Sequence, residues 1–444
     1  MKARNILIFT VIVLALLGGI CVFFPREGIA VGDWKVYFPA IEDIMDDNTG
    51  STSVFQHLGA IEESVCLQGY HDSLYTDSLS FYTQFFQESS SRIHLPNDDW
   101  NYFNELFSDL DSCCTRREII RILHYGDSQI ESDRITGYIR QQLQEKFGGR
   151  GPGLLPAVQP IPSYSVGQSA SENIERYIIS GMHQNKAAHK RYGVLGQFGA
   201  VAGGGFIYVG VRNGKNVYDN VRDFQKVQLF VGRDRNFKAR LSLPAEKETV
   251  TEDSSPVRVY TWNLSDPANK FSLSLSGSGE IYGIAVDGTV GVAVDNIPFR
   301  GSSGTFFSAL DSVVTATMLK QLNTRLILLQ FGGNTVPVIR KDKDIVDYCN
   351  SLSKQVAYLK KICPEAKILM IGPSDMSTKV NGRLSTYPRL ETLVEAMKEM
   401  ALHNGVAFWN MYEAMGGHNS MIEWVRHSPA LAAPDYIHFT SKGI

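Results

Sequence analysis

The chain lacks a surplus of charge of either sign. Its 444 residues include 43 lysines and arginines against 46 aspartates and glutamates, a net charge of -3. Proteins that bind nucleic acid usually carry a basic excess or a basic stripe, and the sequence has neither. We therefore expect no nucleic-acid partner. The net charge does not predict whether the substrate is neutral or anionic.

Cysteine is also scarce, and its spacing is uninformative about metals. None of the six cysteines forms a Cys-x-x-Cys pair or a Cys/His pattern typical of zinc. The glycine cluster at 148–153 follows a predicted helix rather than a strand, so it is a helix stop and not a phosphate-binding loop. We expect no metal and no cofactor. A disulfide between Cys66 and the Cys113/Cys114 pair, or buried free thiols, remain alternatives.

An uncharged apolar run is present at the N-terminus. Residues 6–24 are long enough to span a bilayer, and Lys2 and Arg4 precede them. Positive residues ahead of a span favour a cytoplasmic N-terminus, which places the rest of the chain in the periplasm or outside the cell. We predict a signal anchor at 1–28, with a cleaved signal peptide as the alternative. A membrane-proximal region, 29–117, follows and ends in an amphipathic helix over 100–114.

Two kinds of periodicity divide the remaining chain. Segments 118–150 and 289–444 alternate between apolar strands and helices, including helices over 132–147 and 306–322, which predicts an α/β fold with a parallel sheet. Segment 151–288 instead contains short period-two strands separated by turns, which is typical of an antiparallel β-sandwich. We predict a parallel-sheet domain interrupted by an inserted β-sandwich after its first helix.

A polar turn follows the first predicted strand of the parallel sheet. The strand runs into Gly126, Asp127 and Ser128 before the chain enters a helix. Serine and aspartate are favoured at helix N-caps, so an ordinary junction accounts for the turn equally well. The other interpretation is a nucleophile, because ligands of parallel sheets bind beyond the carboxyl ends of the strands.

Three further features predicted at the same edge of the sheet favour the nucleophile. Gly301 follows the second strand, Asn334 follows the third, and Asp435 and His438 lie near the C-terminus. A serine hydroxyl needs a base to accept its proton, and a carboxylate orients that histidine. The backbone N–H groups of Ser128 and Gly301 and the amide of Asn334 are candidate donors to an oxyanion.

These motifs resemble the four conserved blocks of the SGNH/GDSL esterases. The blocks are Gly126-Asp127-Ser128, the run from Asn296 to Gly301, Gly332-x-Asn334, and Asp435-x-x-His438. The resemblance covers about residues 120–150 and 290–444. It implies a flavodoxin-like sheet, Ser128 as nucleophile, Gly301 and Asn334 in the oxyanion hole, and Asp435 and His438 completing the triad.

The sequence departs from the family at a few positions. Gln129 replaces the leucine after the serine, as in several carbohydrate-active branches, and Thr335 replaces an aspartate often found after the asparagine. Family members usually continue into a closing helix, whereas this sequence ends at Ile444. The β-rich insert is similar to the arrangement in peptidoglycan O-acetylesterases and related envelope esterases.

The leading hypothesis is an outward-facing, membrane-anchored serine esterase that removes acyl groups from a polysaccharide or peptidoglycan, with O-acetyl as the leading candidate for the acyl group. An acyltransferase using the same residues and a glycan-binding protein without activity are the alternatives. Tyr260, Trp262 and Tyr282 are candidates for stacking on sugar rings in a carbohydrate-binding insert, although aromatic residues in a sandwich are more often core.

Overall fold

The computed structural model describes residues 29–31, 34–36 and 89–444, except 215–216, 235 and 252–253. Near the N-terminus, strands β1 (Ile29–Val31) and β2 (Trp34–Val36) pair antiparallel. The signal anchor predicted at residues 1–28 lies outside the described residues, as does Cys66, for which a disulfide was one of two alternatives. Among the helices that are described, none is long and apolar enough to cross a membrane. Cys113, Cys114, Cys349 and Cys363 are free thiols.

The first elements of residues 89–147 lie on both sides of the Ser128 turn. They are β3 (Ile93–His94), α1 (Asn104–Arg116), β4 (Ile119–Gly126), a 3₁₀ helix (Ser128–Asp133) and α2 (Arg134–Phe147). The sequence predicted a helix start at residue 132, but residues 132 and 133 have positive φ angles of 62° and 68°. A tight turn therefore separates the 3₁₀ helix from α2.

Eleven strands lie in the segment that interrupts the βα pattern. They are β5 (Gly153–Leu155), β6 (Val166–Ala170), β7 (Ile174–Ile178), β8 (Gln197–Val201), β9 (Gly205–Val211), β10 (Phe224–Val231), β11 (Lys238–Leu241), β12 (Ala245–Val250), β13 (Arg258–Ala268), β14 (Lys270–Ser276) and β15 (Gly279–Asp287).

The βα pattern then returns up to the C-terminal region. Its elements are β16 (Gly291–Pro298), α3 (Ser312–Gln321), β17 (Thr324–Gln330), α4 (Asp342–Ile362), β18 (Lys367–Ile371), β19 (Ser377–Val380), β20 (Arg383–Thr386), α5 (Leu390–His403), β21 (Ala407–Trp409), α6 (Met411–Ala414) and α7 (Ser420–Arg426). Helix α3 is shorter than predicted, because Asp311 caps it by accepting a hydrogen bond from the backbone of Val314 at 2.9 Å.

The βα elements build one sheet, whose five parallel strands were predicted and whose antiparallel edge strand β3 was not. Its strand order is β16-β4-β17-β18-β21-β3, and every neighbouring pair is parallel except β21 with β3. The five parallel strands follow the flavodoxin-like order 2-1-3-4-5. Strand β4 is central, and all of its residues after the first are buried, including Arg121 and His124. The connections reverse direction at β4, so its carboxyl end lies at the crevice where ligands of such sheets bind.

The interrupting segment forms two antiparallel sheets. One has the order β12-β13-β10-β15-β8-β7 with β5 added beside β15, and the other has the order β11-β14-β9-β6. Both sheets contribute to one hydrophobic cluster, which includes Val209 and Leu273 from the smaller sheet and Leu229 and Trp262 from the larger. Buried and more exposed side chains alternate along β14 and through the middle of β9, which agrees with the period-two pattern of the sequence there.

A buried ion triad connects the larger of the two antiparallel sheets to the parallel sheet. Arg121 on β4 contacts Asp287 on β15 at 2.5 Å and Asp295 on β16 at 2.8 Å, and all three side chains are at most 1% exposed. Asp295 also accepts the backbone N–H of Leu154 at 2.8 Å. Gly153 has a φ of +85°, and a Cβ there would lie 2.3 Å from the Asp295 carboxylate. Only glycine permits this close approach.

Candidate active site

The turn after β4 holds Ser128 at the edge of the sheet. Gly126 ends the strand, where a Cβ would lie 3.0 Å from Ile130 and 3.1 Å from the carbonyl of Gln330. Asp127 then caps the 3₁₀ helix, since its Oδ1 accepts the N–H of Gln129 at 3.0 Å. The helix-cap interpretation of the turn is therefore correct for Asp127, while Ser128 stays partly exposed.

Ser128, His438 and Asp435 form a continuous hydrogen-bond chain. The Oγ of Ser128 lies 2.9 Å from Nε2 of His438, and Nδ1 of His438 lies 2.7 Å from Oδ2 of Asp435. A carboxylate accepts, so Nδ1 carries the proton and Nε2 accepts from the serine hydroxyl. Sequence positions 310 residues apart thus meet with the geometry of a nucleophile, a base and the group that orients the base.

Asp435 is held as a carboxylate by several donors. Its Oδ1 accepts the backbone N–H groups of Ile437 and His438, each at 3.0 Å. Burial raises the pKa of Asp435, but these bonds and the bond from the His438 ring outweigh burial and lower the pKa below its usual value. The side chain therefore stays ionised in neutral solution, as an orienting carboxylate must.

The three predicted oxyanion donors have different environments. Within the described residues, the backbone N–H groups of Ser128 and Gly301 donate to no protein acceptor. The amide nitrogen of Asn334 lies 2.9 Å from Oδ2 of Asp127 and 3.1 Å from the carbonyl of Ser302. Both hydrogens of this amide are therefore engaged, and Asn334 must release one acceptor before it can donate to an oxyanion.

Asp127 connects the nucleophile turn to Asn334. Its carboxylate is buried, and one oxygen binds the turn while the other binds Asn334. Burial raises the pKa of Asp127, and the hydrogen bonds to Gln129 and Asn334 oppose this effect. The sequence presented Asp127 only as part of a motif, and its bond to Asn334 is a second function of that residue.

Gln129 also binds the loop that carries His438. Its side-chain amide donates to the carbonyl of Ile437 at 2.6 Å, and its Oε1 accepts the N–H of Phe439 at 3.4 Å. The two contacts lie on either side of His438. The leucine-to-glutamine departure in the sequence was the signal, although the contacts themselves span more than 300 residues and cannot be inferred from it.

A buried polar network lies below the site. The amide of Asn296 donates to the carbonyl of Ile130 at 2.8 Å and to the Thr136 hydroxyl at 2.7 Å. Thr136 in turn binds Nδ1 of His124 at 2.9 Å, and Nε2 of His124 lies 3.0 Å from Oε1 of Gln330. These bonds fix the 3₁₀ helix after Ser128 relative to β16 and β17. In the sequence, Asn296 is recognisable only as the start of a motif.

A small cavity lies beside Ser128. Its volume is about 170 Å³, and its lining includes Ser128, Asn334, Pro337, Met376 and His438. Gly301 is not among its lining residues. Among the described residues, no group of three or more histidine, cysteine, aspartate or glutamate side chains could hold a metal ion.

The aromatic residues predicted to bind sugars lie in the hydrophobic core instead. Tyr260 is 5% exposed, and Trp262 and Tyr282 are each 1% exposed. Tyr260 stacks on Trp262 with ring centroids 5.8 Å apart, and its hydroxyl donates to the carbonyl of Phe237. No ring face is open to a ligand, so the assignment of Tyr260 and Trp262 to substrate binding is wrong. Their apolar surface packs between the two antiparallel sheets.

Comparison with solved structures agrees with the motifs. The chain is similar to a peptidoglycan O-acetylesterase structure, with a TM-score of 0.60 and 22% identity over 80% of this chain and 95% of that chain. The chain shares the fold of that peptidoglycan O-acetylesterase. The resemblance drawn from the four motifs is therefore confirmed at the level of the fold.

Other solved structures match more weakly. An acetyl xylan esterase, AlAXEase, has a TM-score of 0.25 and 12% identity over 34% of this chain and 75% of that chain. A family two carbohydrate esterase from Cellvibrio japonicus has a TM-score of 0.21 and 10% identity over 55% of this chain and 88% of that chain. These scores are too low to support an argument. No protein-family model and no curated protein matches the chain.

Proposed function

We propose that this protein is a serine esterase that hydrolyses acyl esters, O-acetyl esters foremost, on an envelope or extracellular glycan. The observation that carries the proposal is the hydrogen-bond chain from Ser128 through His438 to Asp435 at the carboxyl edge of the sheet. The similar fold of a peptidoglycan O-acetylesterase supports the same reaction class. Peptidoglycan and other acylated polysaccharides are the candidate substrates.

The reaction proceeds through an acyl-serine. Ser128 Oγ attacks the ester carbonyl carbon while its proton passes to His438 Nε2, giving a tetrahedral intermediate with a negatively charged oxygen. Collapse of the intermediate breaks the bond to the sugar oxygen, which takes the proton from His438. Water then attacks the acyl-serine, giving up a proton to His438, and acetate leaves as the proton returns to Ser128.

The oxyanion is stabilised by two donors that have no protein acceptor and by a third that changes its acceptor. The unengaged N–H groups of Ser128 and Gly301 are the first two, and Asn334 becomes the third when it exchanges the Ser302 carbonyl for the charged oxygen. Each such donor contributes about 3–4 kcal/mol in the transition state. The small volume beside Ser128, about 170 Å³, favours a short acyl group such as acetyl.

We further propose that this chemistry takes place on the outer side of a membrane. We infer that the apolar run at 6–24 anchors the chain and leaves the esterase domain in the periplasm or outside the cell. We also infer that the two antiparallel sheets between β5 and β15 form an inserted β-sandwich that helps hold a polymeric substrate. The buried Arg121 triad supports a fixed position for this insert beside the site.

The deciding experiment measures acetate release from a small neutral acetyl ester by the full chain. Wild type should turn over and label with a fluorophosphonate probe, whereas Ser128→Ala should do neither. Ser351→Ala on α4 is the matched control and should behave as wild type. Equal activity in Ser128→Ala would overturn the mechanism. Acyl transfer to an added sugar without acetate release would instead identify an acyltransferase.

A further inference from the structure

A second and larger cavity lies beside the Ser128 turn. Its volume is about 390 Å³, within the roughly 300–1,000 Å³ of small-molecule sites. One wall includes Ser132 from the turn after Ser128, another is the end of β16 up to Arg300, and a third includes Arg176 and Gln197 on β7 and β8. We call it the Arg176 cavity. It is thus built by both the parallel sheet and the antiparallel sheets.

The Arg176 cavity is close to the proposed reaction centre along the chain. Arg300, at one wall, is followed directly by Gly301, whose N–H is a candidate oxyanion donor. The guanidinium of Arg300 binds both oxygens of Glu131, at 2.7 and 2.6 Å, and Glu131 belongs to the same 3₁₀ helix as Ser128. A ligand in this cavity therefore contacts the segments that hold the serine and its oxyanion donor.

Three arginines line the cavity, and two of them are neutralised. Arg140 makes two bonds to the carboxylate of Asp133, at 2.6 and 2.9 Å, and Arg300 is paired with Glu131. Because each of these cations has its own carboxylate, neither adds a free charge to the cavity. The remaining cation, Arg176, differs from both.

Arg176 has no carboxylate partner among the described residues. Its Nε donates to Oε1 of Gln197 at 2.6 Å and its Nη1 donates to Oε1 of Gln184 at 3.0 Å, while Nη2 donates to no described protein atom. The adjacent Glu175 binds Tyr177 and Asn185 instead. Burial lowers the pKa of Arg176, which is the expected effect of removing a cation from water without compensation.

The two glutamines give the guanidinium a fixed orientation without neutralising it. A planar guanidinium with an unused edge matches a carboxylate, which accepts two parallel hydrogen bonds. A single uncompensated positive charge suits a monoanion. The other walls are largely apolar and include Pro152, Pro156 and Pro298, which suit the carbon face of a sugar ring.

We propose that the Arg176 cavity is a subsite for a carboxylate-bearing sugar of the acylated glycan, and that Arg176 receives the carboxylate. The proposal rests on the proposed esterase function and narrows its substrate to acidic glycans. The carboxylate belongs either to a lactyl ether, as on N-acetylmuramic acid, or to a uronic acid. Recognition of this group, remote from the acyl ester, positions the substrate for attack by Ser128.

The test measures binding to the full chain carrying Ser128→Ala, so that no turnover intervenes. Calorimetric titration compares N-acetylmuramic acid with N-acetylglucosamine, and glucuronic acid with glucose. At least one acid should bind about tenfold or more tightly than its neutral counterpart, as one charge-assisted pair allows. The acid that shows the preference identifies the source of the carboxylate. Equal binding of acids and neutral sugars, or no binding of either, would overturn the proposal.

Variants of the arginine test its role directly. Arg176→Gln should abolish the preference for the acid, and Arg176→Lys, which keeps the charge and the aliphatic stem, should retain part of it. Arg222→Gln removes an arginine that is paired with Asp219 and does not line the cavity, so it should leave the preference intact. An unchanged preference in both Arg176 variants would also overturn the proposal.

Kinetics separate this inference from the proposed function. In a chain with the native serine, Arg176→Gln should raise KM about tenfold for an acidic acetylated glycan and leave turnover of a small neutral acetyl ester unchanged. Acid-selective binding without any ester hydrolysis would overturn the esterase and keep the subsite. If Arg176→Gln instead hydrolyses the acidic glycan with the same KM as wild type, the esterase function stands and the subsite is overturned.

Discussion

Gln129 holds the backbone on both sides of His438. Its amide nitrogen lies 2.6 Å from the carbonyl of Ile437, and its Oε1 lies 3.4 Å from the N–H of Phe439. The residue that follows the proposed nucleophile therefore sets the position of the proposed base, and Ser128 and His438 are aligned by one side chain. Gln129 is a positioning residue, because it lines the small cavity without belonging to the hydrogen-bond chain.

Replacing Gln129 should lower turnover more than substrate binding. Gln129→Leu restores the usual family residue but leaves a buried carbonyl and N–H unpaired, at a cost of about 1–3 kcal/mol. We expect kcat for a small acetyl ester to fall about tenfold with KM nearly unchanged. Gln142→Leu, at an exposed glutamine on α2, is the control and should have no effect. Equal kcat in both variants would contradict the positioning role.

Asp435→Asn should separate tautomer control from loop structure. Asparagine retains an oxygen that accepts the N–H groups of Ile437 and His438, so the loop should keep its conformation. The other atom becomes an N–H₂ group that cannot accept from Nδ1 of His438, which favours the wrong tautomer. By analogy with other triads, kcat should fall by up to about 10⁴-fold.

The measurement for Asp435→Asn combines steady-state kinetics with the rate of fluorophosphonate labelling, and both should fall together. The thermal transition should change little, since the side chain is 47% exposed. A loss of less than about threefold would show that His438 keeps its tautomer without Asp435, against the expectation for such a chain.

Gly301 offers a matched pair of glycine substitutions. Gly301 and Gly382 have φ angles of +73° and +81°, and a Cβ at either position would meet no atom within 4 Å. Alanine should therefore strain both backbones equally, by about 1–2 kcal/mol, without a clash. Only Gly301→Ala should lower kcat, several-fold, because relaxation of its φ turns the N–H away from the oxyanion. Urea melts of the two variants measure the loss of stability, and ester assays measure kcat. A similar loss of kcat in Gly382→Ala would refute the role of Gly301 as an oxyanion donor.

Arg121 should be among the most sensitive positions for stability. Arg121→Met leaves Asp287 and Asp295 buried without a cation, and removal of one partner from a buried ion network costs about 3–5 kcal/mol. The exposed pair of Arg116 with Asp109 supplies the control, since Arg116→Met should cost at most about 1 kcal/mol. Chemical denaturation measures both. Similar losses in the two variants would mean that the buried triad contributes no more than a surface pair.

His124 should make the protein less stable in mild acid. Burial lowers the pKa of His124 to about 4, so the unfolded chain binds its proton more readily than the folded one. The contribution of the neutral ring is present above pH 6.5 and is lost as the pH falls toward 4. Between pH 7 and pH 5 the free energy of unfolding should decrease by about 2 kcal/mol from this residue.

Denaturant melts at several pH values test His124, with His124→Gln as the comparison. The variant should be less stable at pH 7, because it disturbs the bonds to Thr136 and Gln330, but it should lose less stability on acidification. The exposed His427 gives a control, and His427→Gln should keep the wild-type pH slope. An identical slope in His124→Gln would exclude His124 as the cause.

The sequence predicted the positions that depend on local geometry. Ser128, Gly301 and Asn334 follow successive strands of a parallel sheet, and topology brings such strand ends to one edge. The contacts that orient them depend on distant partners: Gln129 and Ile437 are 308 residues apart. No local pattern contains that information, so these contacts were not predictable.

The error at Tyr260 and Trp262 has a related cause. Alternation along β13 predicts that these two side chains share one face of a strand, and they do. It does not say whether that face meets solvent or a second sheet. The face is covered by the smaller antiparallel sheet, so large rings became core. Arg176 was not predicted as a site residue, because a single arginine on a strand has no distinctive sequence pattern. Its role depends on neighbours that are brought together only by the fold.

The insertion between β4 and β16 has a consequence during protein synthesis. Ile120 on β4 pairs with Val292 on β16. Roughly 170 more residues must therefore be synthesised before the first parallel partner of the central strand is available. Closing a loop of that length costs about 2 kcal/mol more entropy than closing a crossover of about 25 residues, unless the insert has already collapsed. At 5–20 residues per second, translation leaves the apolar strand β4 unpaired for about 10–30 s. During that interval the strand that leads into Ser128 exposes unpaired backbone edges, which makes it prone to aggregation in the nascent chain.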